Sequence, residues 1–596
     1  MSETNNTLIG RVKSISGNKI SVQLEEKVKS IMPIVDGMLY RIGQIGSFIK
    51  IPLGYTKLYG IITQIGADAI PDSLKKAAID ENIDIRFTTR WITAVLVGET
   101  LIDKFERGIT QFPNVEDEVH LVTLGDLNII YGGLKDEGSI TVGNISVSES
   151  LPAKIDIDRF LTRHCALVGA TGSGKSNAVA VILNAISKKN TFKSARVFII
   201  DPHGEYNSAL KDISRSFRMD ADTTKGETEL TIPFWALPFD ELMKIFPGRV
   251  SDQQTDYIRE KVLNLKLSSA KFLKPEPNVA SITADSPIPF SIKKLWFELD
   301  DFERQTYSDG ARSVKTTLIQ NGDAQNLKSN IYQPASTMNT APYINNRAKG
   351  ILNFLDGVRN RISDKRYRFL FTPKEFEPDL EGKIKKDLNL LMAEWLGSSA
   401  PVSVLDLSGV PPEIMQSISG SILKIIYDGL FWAQGLSVGG RKQPLLIVLE
   451  EAHNYLKSGV ESISSRTVQS LAKEGRKYGL GLLLVTQRPS ELDETVLSQC
   501  GTVIALRMYN SGDRGHVSAT IQDDLNNITD LLPTLRTGEA LIIGEGVKIP
   551  SRIKFFKMAD SPKSSDPKVS IQWSQSRPAS SEYDKALILW RDQKFS

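Results

Sequence analysis

The sequence predicts an α/β protein in which a parallel β-sheet follows a β-rich N-terminal domain. From about residue 151, continuous apolar runs such as "CALVG" and "ARVFIIDPHGEY" alternate with helical runs such as "SNAVAVILNAI". Because a strand buried on both faces reads as one apolar run, this alternation indicates a parallel sheet covered by helices on both sides. Before that point, short β-rich runs are broken by Gly, Asn and Pro, a pattern typical of a small barrel or sandwich.

The order of these patterns predicts five segments along the chain. The β-rich runs occupy residues 1–150, and the first part of the α/β core occupies 151–206. The alternation then stops, and residues 207–400 combine helical runs such as "DQQTDYIREKVLNLKL" with polar, irregular chain, which indicates a largely helical insertion. Buried strands resume at "PVSVLDLSG", so the second part of the core covers 401–556. The polar residues 557–596 form a C-terminal tail.

Composition restricts the class of protein less than the motifs do. The 596 residues include 73 Lys and Arg against 70 Asp and Glu, and a net charge of +3 neither supports nor excludes a nucleic-acid partner. Cys165 and Cys500 both lie in apolar runs, which favours two buried reduced thiols over a disulfide or a metal site. The sequence has no signal-peptide pattern and no apolar run near the ~20 residues that cross a bilayer, so we expect a cytoplasmic protein.

The strongest motif is "GATGSGKS", which fits the phosphate-binding loop G-x-x-x-x-G-K-[ST] and stands between a buried strand and a helix. Its glycines let backbone N–H groups surround phosphates, and the helix N-terminus adds partial positive charge. We expect Lys175 to bind the β- and γ-phosphates of ATP, and the Ser176 hydroxyl to ligate Mg²⁺. The nucleotide-binding residues predicted here are Gly169, Ala170, Thr171, Gly172, Ser173, Gly174, Lys175, Ser176 and Asn177.

A second motif, "PLLIVLEEAH", places two adjacent carboxylates at the end of a buried strand. Parallel sheets bind ligands at the carboxyl ends of their strands, and successive strand residues point in different directions. We therefore expect Glu450 to face Mg²⁺ and Glu451 to activate the attacking water as a general base. The alternative, a strand that merely leads into an acidic loop, becomes much less favourable once the phosphate loop is present.

The segment "SRTVQSLAKEGRKYG" reads as a helix with one buried face and Arg476 at its end. A cation at this place either complements the helix dipole or acts as an arginine finger on the γ-phosphate of a neighbouring subunit, and spacing alone leaves both open.

Two further strand ends carry polar residues. Gln487 follows "LLLVT" beside Thr486, where a neutral group can sense the γ-phosphate. Asp201 and Glu205 in "DPHGEY" are either structural acids or part of the nucleotide site, and we count Asp201 among the nucleotide-binding residues. The neighbouring His203 and His453 are expected to make supporting hydrogen bonds, because no Cys or His partners stand at metal-ligand spacing.

Taken in order, "LVGATGSGKSN", "IIDPHGEY", "DLSGVP", "LIVLEEAHNYL" and "AKEGRKYGLGLLLVTQRPSELDETVLSQCGTVIALRM" resemble the HerA branch of the HerA–FtsK ATPases. The resemblance covers most of the chain and is weakest in the insertion and the tail. It implies a RecA-like core behind a small β-barrel, with Lys175 on phosphate, Glu451 as the catalytic glutamate and Arg476 as the trans-acting finger. Arg163 in "LTRHCALVG" matches another family arginine near the subunit boundary. Glu450 departs from the Asp that many such ATPases carry.

The resemblance also implies partners. Family members form homohexameric rings that move double-stranded DNA through a pore or unwind it, together with an effector such as a nuclease or, in phage-defence pairs, a sirtuin-like protein. Because this chain carries no nuclease motif of its own, we expect an effector docked on the N-terminal domain. An alternative of another class is a nucleotide-gated ring scaffold that regulates an effector with little movement on DNA. Conjugative DNA pumps fit less well, since those relatives usually carry membrane segments.

Overall fold

The computed structural model is organised around two large β-sheets with helices packed on the second. It describes residues 7–25, 34–35, 38–39, 44–66, 90–101, 104–134, 136–146, 148–188, 191–338, 340–520, 526–560, 562 and 569–592.

The first sheet closes into a six-stranded barrel. Its neighbours run β2-β1-β9-β5-β6-β7, and β2 also pairs with β7 through Lys19 to Gln23, which joins the two ends. Alternate side chains point inwards, so that Val12, Ile20 and Ile51 are buried in a separate apolar core. The strand β8 pairs with β7 outside the closed ring, and β3 and β4 form a small hairpin. The N-terminal strands are β1 Leu8–Ser16, β2 Lys19–Leu24, β3 Ile34–Val35, β4 Met38–Leu39, β5 Phe48–Leu53, β6 Thr56–Gly66, β7 Trp91–Leu101, β8 Lys104–Arg107 and β9 Glu118–Leu121.

The second sheet has twelve strands and forms the α/β core. They are β10 Ser139–Ile145, β11 Ser148–Asp156, β12 Cys165–Val168, β13 Val197–Asp201, β14 Ser214–Arg218, β15 Thr228–Glu229, β20 Val402–Asp406, β21 Leu445–Leu449, β22 Leu480–Thr486, β23 Thr502–Leu506, β24 Glu539–Gly544 and β25 Ser551–Phe555. Eight of them are parallel, in the order β23-β12-β22-β21-β13-β20-β14-β15. The strands β24, β25, β10 and β11 extend one edge with antiparallel pairs. Because β12 lies in the interior of the sheet, the loop after it is flanked by strand ends on both sides.

The described helices are α1 Leu124–Tyr131, α2 Ile157–Thr162, α3 Lys175–Ile186, α4 Phe239–Ile245, α5 Asp252–Ala270, α6 Ile292–Arg304, α7 Leu352–Ser363, α8 Arg368–Phe371, α9 Leu388–Leu396, α10 Met415–Trp432, α11 Ile463–Glu474, α12 Glu494–Ser498, α13 Ser511–Thr520, α14 Val569–Trp573 and α15 Ser581–Asp592. Six of them, α4 to α9, lie between β15 and β20 and account for the helical insertion. That insertion also carries two short antiparallel strand pairs, formed by β16 Thr306–Tyr307 with β19 Tyr343–Ile344 and by β17 Leu318–Gln320 with β18 Ile331–Tyr332.

The predicted fold class is confirmed: a mixed α/β core stands behind a closed N-terminal barrel and is interrupted by a mainly helical region. The residue limits of the predicted domains stay predictions. Near the first limit, β10 and β11 pair with the large sheet, and near the second, β14 and β15 extend the same sheet. Within the described residues, no helix combines the length and apolar character that crossing a membrane requires.

Candidate active site

The loop between β12 and α3 has the backbone conformation that phosphate binding requires. Gly172 and Gly174 have φ angles of 70° and 103°, in a region that side chains with a Cβ disfavour. A Cβ on Gly174 would also lie 3.1 Å from the backbone nitrogen of Gly538. That nitrogen donates a hydrogen bond of 2.8 Å to the carbonyl oxygen of Ser173. The loop is therefore held in shape by the turn before β24, a contact that the motif alone does not reveal.

Lys175 begins α3 and points back over the loop. Its ammonium group donates to the carbonyl oxygen of Ala170 at 3.3 Å. Burial lowers the pKa of Lys175, and the nearby carboxylates of Glu451, Glu450 and Glu205 act in the opposite direction. The side chain thus stands beside a group of negative charges, where its own charge can also meet a phosphate.

The far side of the loop contacts the end of the neighbouring strand. The Thr171 hydroxyl donates a hydrogen bond of 2.6 Å to Gln487 Oε1. Gln487 directly follows β22, whose last residue, Thr486, is paired in register with Val168 at the end of β12. The predicted γ-phosphate sensor and the phosphate loop are therefore in direct contact.

The Ser176 hydroxyl donates a hydrogen bond of 2.6 Å to Glu205 Oε2. Asp201, which ends β13, is fully buried and accepts hydrogen bonds from the backbone nitrogens of His203, Gly204 and Tyr206. Asp201 thereby shapes the turn that presents Glu205, and its predicted contact with nucleotide stays a prediction. Asp201, and not Glu205, is among the nucleotide-binding residues predicted from the sequence, and only the fold puts Glu205 against the phosphate loop.

A second acid, Asp406, lies near the buried Asp201. The pKa of Asp201 is raised to about 7, mainly by burial and in part by the charge of Asp406, while the hydrogen bond from the Tyr206 backbone opposes the shift.

Glu450, the first residue after β21, is 4% exposed and has one free oxygen. The Tyr206 hydroxyl donates to Glu450 Oε1, whereas Oε2 has no hydrogen-bond partner among the described residues. Burial raises the pKa of Glu450 to about 8, and the charges of Asp201, Glu205 and Glu451 add to this effect. Tyr206 was not singled out from the sequence, because a tyrosine two residues beyond a turn carries no motif signal.

Glu451 occupies a left-handed backbone conformation, with φ 48° and ψ 51°. For a residue other than glycine this conformation costs about 1–2 kcal/mol, and such strain concentrates at functional sites. Glu451 Oε2 is buried and accepts no hydrogen bond within the described part of the chain, although His453 Nδ1 lies 3.2 Å away. His453 Nδ1 also lies 3.1 Å from the Thr486 hydroxyl, so this histidine connects the acid to the end of β22.

The carboxylate and hydroxyl oxygens described above suit a magnesium ion that arrives with a nucleotide. Carboxylate and hydroxyl oxygens are the ligands Mg²⁺ prefers, and Mg²⁺ is usually held by one or two protein groups together with substrate phosphates. The Ser176 hydroxyl, Glu205 and the unpartnered Oε2 of Glu450 supply such groups. Within the described ranges, no set of three or more His, Cys, Asp or Glu is arranged to hold a metal by itself. The residues therefore fit a site completed by phosphate.

Asn177, the last residue of the predicted nucleotide-binding set, contacts the C-terminal part of the core. Its amide nitrogen donates to the carbonyl oxygen of Phe556 at 2.8 Å, and its oxygen accepts from the backbone nitrogen of Met558 at 3.0 Å. Both ends of the side chain are thus used to attach the chain beyond β25 to helix α3.

Arg476 lies near the start of β22, whereas the phosphate loop of its own chain lies at the carboxyl ends of the parallel strands. It belongs to the short 3₁₀ helix Gly475–Tyr478, which leads into the first residue of β22. Since β22 has seven residues and ends beside the phosphate loop, about 20 Å of strand separates Arg476 from that loop. The side chain is exposed, and no ion pair or hydrogen bond joins it to any residue that the structure describes.

Arg163 lies on the same side of the sheet as Arg476, because it comes just before β12, which runs parallel to β22. Its guanidinium group is half-exposed and forms an ion pair with Glu545 at 3.3 Å. The structure thus places both predicted boundary arginines away from the nucleotide site of their own chain. Neither side chain therefore contributes to the nucleotide site of its own chain.

Comparison with known families gives two adjoining matches. Residues 140–426 match the model described as "Helicase HerA, central domain", and residues 421–580 match "Helicase HerA-like C-terminal". Together the two matches cover the chain from the first strand of the large sheet into the C-terminal tail.

Individual relatives align over most of the chain. The "DNA double-strand break repair helicase HerA" of Sulfurisphaera tokodaii is 25% identical over 582 residues, which are 97% of this chain and 98% of that protein. The protein of the same description from Saccharolobus solfataricus is 26% identical over 454 residues, 75% of this chain and 74% of that one. Among solved structures, VirB4 of Thermoanaerobacter pseudethanolicus aligns with 72% of this chain and 99% of its own, at 13% identity and a TM-score of 0.45.

Proposed function

The chain belongs to the HerA family of P-loop ATPases, and from this premise we propose that it works as a homohexameric ring that moves or unwinds double-stranded DNA as it hydrolyses ATP. Relatives that align over nearly its whole length are described as DNA double-strand break repair helicases, which supports duplex DNA as the substrate. The number of subunits is taken from the resemblance to this family.

The position of Arg476 supports a ring most directly. Its side chain is exposed near the start of β22, while the phosphate loop of the same chain lies at the carboxyl ends of the parallel strands. An arginine finger supplied in trans stabilises the charge that develops on the transferred phosphoryl group. A single chain therefore lacks one component of the proposed active site, and a neighbour in a closed ring supplies it.

Within one subunit, each polar group has a proposed task. The loop backbone and Lys175 bind the β- and γ-phosphates, since the first N–H groups of α3 have no intrahelical partner and no side chain caps the helix at Gly174. Ser176, Glu205 and Glu450 hold Mg²⁺, which when bound neutralises charge on the phosphates. Gln487 reports the state of the loop through its hydrogen bond with Thr171.

Glu451 is proposed as the general base that orients and activates the attacking water. Its side chain is half-buried, its enclosed Oε2 accepts no hydrogen bond within the described residues, and its backbone is held in a conformation that costs energy. His453 Nδ1 lies 3.2 Å from Glu451 Oε2 and 3.1 Å from the Thr486 hydroxyl, so this histidine connects the acid to the end of β22. A carboxylate kept free of competing donors remains available to accept a proton from water.

We further propose that an effector, a nuclease or a sirtuin-like enzyme, acts with the ring and docks on the N-terminal barrel. The barrel has an apolar core of its own and carries no set of catalytic residues that we recognise from the sequence. Repair of DNA and defence against phage are both settings in which such a pair operates.

The decisive experiment measures ATP turnover by the full chain with and without double-stranded DNA, between about 50 and 200 mM salt. A motor that grips phosphates is expected to turn over faster with DNA, and the stimulation should fall steeply as salt rises. Lys175→Ala serves as the control for contaminating ATPases. A rate that is indifferent to DNA at every salt concentration contradicts the motor, and favours the nucleotide-gated scaffold instead.

A further inference from the structure

His164 stands in an unusual position between helix α2 and strand β12. Its φ angle is 54°, in the left-handed region where glycine or asparagine usually follows a helix. A histidine here costs conformational free energy that a glycine would not. The imidazole ring is nevertheless only 3% exposed, so the side chain is enclosed by the protein rather than directed into solvent. The contacts of the ring should therefore explain why a histidine occupies this position.

The ring connects two backbone groups on either side of the turn that carries Arg476. The backbone nitrogen of Leu482, in β22, donates a hydrogen bond of 3.1 Å to His164 Nδ1. The backbone of Ala472, in helix α11, also forms a hydrogen bond with the ring. Burial lowers the pKa of His164 to about 4, so the ring is neutral near pH 7 and carries its proton on Nε2.

The middle of the same turn rests against the ring. His164 Cε1 lies 3.7 Å from the position that a Cβ on Gly475 would take. Gly475 is the residue directly before Arg476, and a Cβ there would approach the carbonyl oxygen of Leu480 to 2.9 Å. The ring therefore contacts both ends and the centre of the short segment that carries the exposed Arg476.

We propose that His164 is a positioning residue that holds the turn bearing Arg476 in the place from which this arginine reaches the nucleotide of a neighbouring subunit. The inference rests on the proposed role of Arg476. His164 is followed directly by β12, which ends in the phosphate loop, so the same short strand joins the nucleotide site of one subunit to the finger that it offers to the next.

The test compares full-length variants in steady-state ATP turnover. His164→Gly removes the ring and relieves the backbone conformation, and His164→Asn is a second variant that also tolerates a positive φ. A displacement of about 1 Å in a catalytic group can cost about 100-fold in rate, so we expect kcat to fall by about 10-fold or more while the KM for ATP stays within about 2-fold. The control is His120→Asn, since His120 is equally buried in the barrel and contacts the Thr7 hydroxyl at 3.0 Å.

A double-mutant cycle with Arg476→Ala separates this proposal from the proposed function. If His164 acts through Arg476, the double variant turns over no more slowly than Arg476→Ala alone. Losses that multiply, or an unchanged kcat in both His164 variants, overturn the positioning role. Equal loss in His120→Asn also overturns it, because the effect is then general. If Arg476→Ala itself keeps its turnover, the finger is refuted, and with it the reason for this inference.

Discussion

The Ser176 hydroxyl donates a hydrogen bond of 2.6 Å to Glu205 Oε2, although the two residues are 29 positions apart in the chain. The contact places a carboxylate from the end of β13 beside the residue that the phosphate-loop motif assigns to Mg²⁺. It also gives the site a second acid in addition to Glu450. The proposed metal site therefore combines the start of helix α3 with residues that follow two different strands.

Glu205→Ala is expected to weaken the binding of Mg²⁺. Loss of a group that supports a metal site typically costs 10- to 100-fold in affinity or activity, so the Mg²⁺ concentration for half-maximal ATP turnover should rise by about 10-fold or more. Glu118→Ala is a suitable control, because Glu118 is an exposed acid in the barrel paired with Arg11 at 2.9 Å. An unchanged Mg²⁺ dependence in Glu205→Ala would exclude Glu205 from the metal site.

Glu451→Gln is expected to bind ATP and to hydrolyse it at least about 100-fold more slowly, since the amide cannot accept a proton from water. Binding is measured with a fluorescent nucleotide and turnover by phosphate release. Lys175→Ala marks the other extreme, because loss of the ammonium group should abolish binding itself. Turnover of Glu451→Gln at the rate of the unmodified protein would remove Glu451 from the role of base.

Arg476→Ala is expected to lose turnover by about 10³-fold or more, as for other arginine fingers. Mixing these subunits with Glu451→Gln subunits should restore part of the activity. In a mixed ring, a nucleotide site with an intact Glu451 meets an intact Arg476 from its neighbour. Phosphate release is measured across mixing ratios, with each variant alone as the control. Mixtures that stay as inactive as the separate variants would count against an arginine that acts in trans.

Lys266 in the helical insertion should give stability a defined dependence on pH. Its side chain is 1% exposed and donates to the carbonyl oxygens of Ala284 at 2.7 Å and Ser286 at 2.6 Å, and burial lowers its pKa from 10.5 to about 7. Between these two values the unfolded chain binds a proton that the folded chain does not. The free energy of unfolding therefore rises with pH, by up to about 1.4 kcal/mol per unit.

The prediction is tested by thermal unfolding of the unmodified protein and of Lys266→Met from about pH 7 to about pH 10. The Tm of the unmodified protein should increase relative to that of the variant across this range, and the comparison cancels the titration of all other groups. A difference in Tm that is independent of pH would show that Lys266 keeps its ordinary pKa in the fold.

The strand–loop–helix arrangement of the phosphate loop could be predicted because its information is local. The glycines, Lys175 and Ser176 stand within eight consecutive residues, and the flanking strand and helix are visible as apolar patterns. The buried strand before Glu450 was recognised for the same reason. By contrast, the sequence does not show that Asp201 accepts the backbone hydrogen bonds of the turn after β13. This arrangement leaves Glu205 to contact Ser176, and only the structure reveals it.

Closure of the barrel is likewise not predictable from the local pattern of strands. Short alternating strands in the first part of the chain indicated a barrel or a sandwich without deciding between them. The pairing of β2 with β7, which joins Ser21 to Thr93, selects the barrel. A pairing between strands so far apart in sequence depends on the twist and stagger of the whole sheet.

By itself, the sequence determined the class of the fold, the phosphate-binding loop and the pair of acids that follows β21, because each rests on residues that are neighbours in the chain. The tertiary structure alone decided that Glu205 meets Ser176, that His164 braces the turn before β22, and that Arg476 lies a full strand length from its own phosphate loop. The physical reason is the order and register of the parallel strands, which bring distant residues to one edge of the sheet and separate others to opposite edges.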